Sequence, residues 1–174
     1  MLLALVATVL AGTPTVDAVA WVVGDRVITR SDLALEAELA EIDVASVPPW
    51  RDRARPAQER LVEGALLRAA AGDVPVYAPS DADVRGRVER MRDGVGAVGW
   101  NEFLQRWGLD ERAVYDLTRR RMIVERYVIR TLSTRAATAG VRLDLTMPGW
   151  DEGYPALVAE LRDRVSVRVV GSAP

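Results

Sequence analysis

The chain has 174 residues, 49% of them apolar, enough for one domain with its own core. A net charge of −2 sets up no global field for nucleic acid or an anionic membrane surface. Neither cysteine nor histidine occurs, which excludes disulfides, thiol nucleophiles, Ser-His triads and zinc sites built on those ligands.

Residues 1–11, MLLALVATVLA, are an apolar run followed by Gly12-Thr13-Pro14. A spanning helix takes ~20 residues, so the run is too short to cross a bilayer. It reads as the apolar part of a signal peptide over residues 1–12, cut near Ala11 or Gly12, although no Arg precedes it. The expectation is export.

Next come two β-prone runs, 18–23 and 26–29, joined by Gly24-Asp25. That pattern predicts a tight hairpin. A helix follows from Ser31 to about Asp43, with Leu35, Leu39 and Ile42 on one face; Thr29 and Asp32 have capping-box spacing. A lone hairpin is marginal in water, so it needs a further partner. The other clear strand signal is Val165-Ser166-Val167-Arg168-Val169, at the far end. The two ends are expected to pair and close a helical insertion.

Within that insertion, Pro48-Pro49 marks a linker before Trp50, and residues 51–55 read as solvated. Pro56 opens a second helix, whose apolar face includes Leu61, Val62, Ala65 and Leu66, and Gly72 ends it. Residues 73–79 read as extended. Ser80 and Asp83 form a second capping pair, and Val84, Val88 and Met91 make one stripe. Gly94, Gly96 and Gly99 are expected to break that helix, leaving 100–107 as a short one. Asp110 caps the longest helix, 111 to about 132, whose stripe of Val114, Leu117, Val124 and Val128 is interrupted by Arg121. The stretch 136–150 is weakly patterned, with a strand-like alternation at 142–146, and Pro155 is expected to start the last helix.

The phrase Val23-Gly24-Asp25-Arg26-Val27-Ile28-Thr29-Arg30-Ser31-Asp32-Leu33 resembles the opening of SurA-type periplasmic chaperones. Gly108-Leu109-Asp110-Glu111 at the head of the long helix is similar to that family too, as is the ending, 157–164 running into 165–170. The resemblance implies a mainly helical domain over 18–170 with a small sheet joining its ends. Its parts would be the hairpin and helices (18–132), a connector (133–150) and a C-terminal helix and strand (151–170). It also implies a periplasmic, ATP-independent holdase for unfolded exported or outer-membrane polypeptides, without metal or other cofactor, not spanning a membrane once the signal is removed. Isomerase domains often occupy the place of the connector in that family. Residues 133–150 are too few for one, since a folded domain takes at least ~50 residues, so the chain is not expected to be an enzyme.

Other chemistry is thin. Asp81, Asp83, Asp151 and Glu152 sit at expected helix starts, where capping explains them. Arg119-Arg120-Arg121 reads as a solvated face, and Gly94-x-Gly96 lacks the rest of a phosphate loop. An adaptable client surface calls for Met and aromatic side chains. Trp50, Met91, Trp100, Phe103 and Trp107 are the candidates, against the simpler reading that they fill the core. Trp50, behind two prolines, is the foremost. Two rival readings are a non-catalytic interaction subunit for one folded envelope protein and a degenerate prolyl isomerase.

Overall fold

The computed structural model describes residues 17–45, 47–140 and 149–170; the expected signal peptide at 1–12 and the alternating stretch 142–146 lie outside them. The elements are β1 (Val19–Val23), β2 (Arg26–Thr29), α1 (Arg30–Ile42), α2 (Ala57–Ala71), a 3-10 turn (Pro75–Tyr77), α3 (Asp81–Trp107), α4 (Glu111–Thr138), α5 (Gly149–Arg162) and β3 (Val167–Val169). The fold is mainly helical with one small antiparallel sheet.

The sheet order is β2-β1-β3, so the C-terminal strand does return to the N-terminal hairpin. Val22 lies opposite Val27 on one side and Arg168 on the other. Gly24 holds φ 60° at the hairpin turn, a conformation that disfavours a side chain. Local signals set the helix starts. Thr29 and Asp32 form a reciprocal capping box on α1, Ser80 and Asp83 form another on α3, and the Asp110 side chain caps α4.

Four elements depart from the sequence expectation. Of the three glycines near the middle of α3, only Gly96 leaves helical geometry (φ 72°, ψ 168°), so α3 kinks there and continues to Trp107. Residues 73–79 are not wholly extended but contain the 3-10 turn. Helix α4 runs on to Thr138, taking up part of the expected connector. Helix α5 begins at Gly149, and Pro155 lies inside it rather than at its start.

The buried apolar residues form two clusters. One joins the sheet to α2, α4 and α5 through Val23, Ile28, Leu66, Val128 and Leu157. The other joins α1, α3 and the start of α4 through Leu39, Met91, Trp100, Phe103 and Val114. Six buried charged side chains tie the helices of both clusters together. Arg60 Nε donates to Glu36 Oε1 (2.9 Å), and Arg121 Nη1 to Glu36 Oε2 (2.5 Å). Arg121 Nε donates to Asp43 Oδ2 (2.9 Å), and Arg87 grips both Asp43 oxygens (2.7 and 2.8 Å). Arg87 also donates to both Glu125 oxygens (2.6 and 2.9 Å). The result is an alternating chain, Arg60–Glu36–Arg121–Asp43–Arg87–Glu125, that reaches all of α1 to α4.

This chain corrects the reading of Arg119-Arg120-Arg121 as one solvated face. Successive helical residues point in different directions. Arg119 bonds the Asp81 carboxylate, Arg120 is exposed, and Arg121 is buried at 4% exposure. Residues 51–55 are not uniformly solvated either, because Arg55 is half-buried against Glu63.

The hairpin does not depend on β3 alone. Val23 and Ile28 pack into the first cluster, while all three residues of β3 are exposed. Removing residues 166–174 should therefore cost ~1 kcal/mol per lost ladder bond, a few kcal/mol in all, and leave a folded protein. Urea unfolding with helical circular dichroism checks this. Complete loss of helix at zero urea would mean that β3 is indispensable; unchanged stability would mean that its pairing contributes nothing.

Candidate functional site

Four of the five side chains expected at a client surface lie in the core. Trp50 is 5% exposed, Met91 and Trp100 2% and Phe103 3%. Trp107 is half-buried and donates its indole N–H to Glu38 Oε2 (2.7 Å). The cause for Trp100 and Phe103 is the continuation of α3 beyond Gly96. It turns both rings, offset-stacked with centroids 5.7 Å apart, into the second cluster. Trp50 is sandwiched between Gly64 of α2 and Arg121 of α4. The Arg121 guanidinium carbon lies 4.1 Å from the ring centroid, and a Cβ at position 64 would overlap the ring atoms Cη2 and Cζ2. None of these four buried rings and chains offers surface to a client.

An open concave surface lies instead along α5. A pocket of about 440 Å3 lies between residues 48–55 and α5, with Pro48, Pro155, Val158 and Ala159 as apolar walls. Its floor is Glu63, 4% exposed. Arg55 donates to both Glu63 oxygens (2.8 and 2.6 Å), and the Tyr154 hydroxyl donates to Oε2 (2.7 Å). Burial, together with the Glu63 charge, pushes the Tyr154 phenol up, and the Glu63 hydrogen bonds push the Arg55 guanidinium up. Glu63 is thus a paired anchor between α2, α5 and the preceding loop, with both of its oxygens hydrogen-bonded. It is poorly placed to abstract a proton.

A second pocket, of about 430 Å3, adjoins the first through Arg162, which lines both. Trp21, Val62, Val165 and Val167 supply its apolar surface. This concave strip ends at β3, one of the two edge strands of the sheet. Gly24 donates to the Ser166 carbonyl (2.9 Å) and Val170 donates to the Ala20 carbonyl (2.9 Å). In an antiparallel ladder the bonded positions alternate. Ser166, Arg168 and Val170 therefore face β1, and the N–H and C=O of Val167 and Val169 turn to the open edge. Their side chains are 38% and 65% exposed. The edge spans three residues and carries two exposed valines beside outward-facing backbone groups. The alternation at 165–169 was visible in the sequence. The strip beside it was not, because it depends on how α5 meets the 48–55 segment.

Among the described residues, no group of acidic side chains is arranged to hold a metal ion, and no helix is long and apolar enough to cross a membrane.

Because Trp50 is core, Trp50→Ala should cost ~3–5 kcal/mol in urea unfolding. Gly64→Ala, which forces the ring aside, should cost ~1–3 kcal/mol. A Trp50→Ala protein of undiminished stability would return Trp50 to the list of surface candidates.

No family model matches this chain, and no curated protein matches its sequence.

Proposed function

We propose that this protein is a SurA-like, ATP-independent holdase of the periplasm that binds extended segments of unfolded exported or outer-membrane polypeptides and catalyses no reaction. The observation that carries the reading is the open edge of β3 at the end of an apolar-walled strip. An unfolded chain has unpaired backbone groups and exposed apolar side chains. The edge supplies the backbone partners and the strip the apolar contact, so recognition needs no particular client sequence. Ordering an extended client costs chain entropy, which keeps such binding weak and reversible. A holdase must release its clients, and here no nucleotide would drive release.

The reading moves the client surface away from the aromatics singled out in the sequence. With those rings in the core, the binding groups are Val167 and Val169 and the walls along α5. The buried Glu63 cluster stiffens the floor of the strip and takes no part in chemistry.

Proline at position 169 gives a selective test. The Val169 N–H faces the open edge, so its loss removes a donor for a client strand without removing a bond to β1. Wild-type protein should suppress light scattering when several unrelated denatured outer-membrane proteins are diluted from urea, without ATP. Val169→Pro should suppress it much less while keeping the wild-type melting temperature. Absence of suppression by the wild type across all clients would overturn the holdase reading. Full suppression by Val169→Pro would leave a holdase but remove the strand edge from its mechanism.

A further inference from the structure

We infer that residues 97–107, the part of α3 beyond its kink, form a lid that opens as one unit, hinged at Gly96 and Gly108 and latched by Glu38. Both hinge glycines hold positive φ, 72° and 59°. The Gly96 backbone (φ 72°, ψ 168°) lies in a region open to glycine almost alone. A Cβ at either position would meet nothing within 4 Å, so neither glycine is there for close packing, in contrast to Gly64 under Trp50. What both supply is a change of chain direction, one at each end of a single helical segment.

The two parts of α3 are held differently. Before the kink, Arg87 is bonded to Asp43 and Glu125 in the interior, and Arg92 pairs with Glu111 of α4. Beyond it, among the described residues, the side-chain hydrogen bonds from 97–107 to other elements all go to Glu38 of α1. Arg106 Nη1 donates to one of its oxygens (2.6 Å) and the Trp107 indole N–H to the other (2.7 Å). Arg106 is exposed and Glu38 partly so, which leaves this latch open to competition from water. What remains is apolar contact, chiefly Trp100 and Phe103 in the cluster with Leu39, Met91 and Val114. Segments fixed by few, water-exposed polar bonds open below the free energy of global unfolding. Opening here bares Trp100 and Phe103 with the apolar face they cover, while the buried charges that join α1 to α4 stay paired. The lid is a property of the fold and does not depend on the holdase reading.

Native-state hydrogen exchange in 15N-labelled full-length protein tests it without any client. In the wild type the amides of 101–107 should share one free energy of opening, lower than that of the Leu66 and Leu67 amides in the core of α2. Glu38→Ala removes the latch and should speed the 101–107 set about tenfold, leaving Leu66 and Leu67 unchanged. Gly96→Ala penalises the closed backbone alone and should do the same, by about tenfold. Gly94→Ala is the control: its Cβ also meets nothing within 4 Å, but position 94 lacks the positive φ, so exchange of the set should not quicken. Exchange of 101–107 at the free energy of Leu66 and Leu67 would overturn the lid, since the segment would then open only with the whole protein. Protection that rises steadily from Trp107 back to Asn101 would be fraying of a helix end and would overturn it too. So would a Glu38→Ala or Gly96→Ala effect shared equally by Leu66 and Leu67, or one matched by Gly94→Ala.

Discussion

The arrangement of the helices rests on a buried chain of alternating charges. Arg60, Arg121 and Arg87 are matched by Glu36, Asp43 and Glu125, with every link a direct hydrogen-bonded ion pair. Removing such charges from water is costly, and mutual attraction offsets the cost only when geometry is good and spare donors and acceptors are filled. Most are filled. Arg60 also donates to the carbonyls of Arg53 and Arg55, which fastens the segment before α2 to the same network. Burial disfavours the Arg87 charge, but the hydrogen bonds it donates to Asp43 and Glu125 outweigh it and hold the group protonated. Burial pushes the Glu125 carboxyl up, while Arg87 pulls it back. A chain of this kind specifies position as well as strength, because sliding any one helix strands a charge in the interior.

That constraint explains why the aromatics are not where a binding surface would put them. Arg121 needs an apolar, flat neighbour to share its buried position, and Trp50 supplies it, with Gly64 clearing space for the ring. Trp100 and Phe103 fill the second cluster on the other side of the charged layer. Trp50, Trp100 and Phe103 are thereby held in the interior. The strip along α5, ending on β3, is walled instead by proline and aliphatic side chains with Trp21 beside them.

Much of the fold was legible because its signals are local. Capping boxes act over three residues, and Thr29-Asp32 and Ser80-Asp83 form as their spacing predicts. The β3 alternation and the marginality of an isolated hairpin together pointed to the pairing of the ends. What escaped is non-local. Arg60, Arg87 and Arg121 look like any other Arg in a chain whose 23 basic residues are all Arg. One signal was available: Arg121 interrupts the stripe Leu117, Val124, Val128 at helical spacing, and a charge on an inward stripe requires a buried partner. Glu36 and Asp43, seven apart around α1, supply partners on one face. The three central glycines of α3 misled for the opposite reason. Propensity marked a break, but tertiary packing of Trp100 and Phe103 carried the helix through with a single kink at Gly96.

The most direct test of the charged chain is Asp43→Asn. The side chain keeps its shape but loses the charge that links Arg121 to Arg87, leaving two buried guanidinium groups short of an anion. Urea unfolding at neutral pH should show a loss of ~3–5 kcal/mol relative to wild type. A loss below ~1 kcal/mol, the range of an exposed ion pair, would contradict the claim that this network fixes the helices in place.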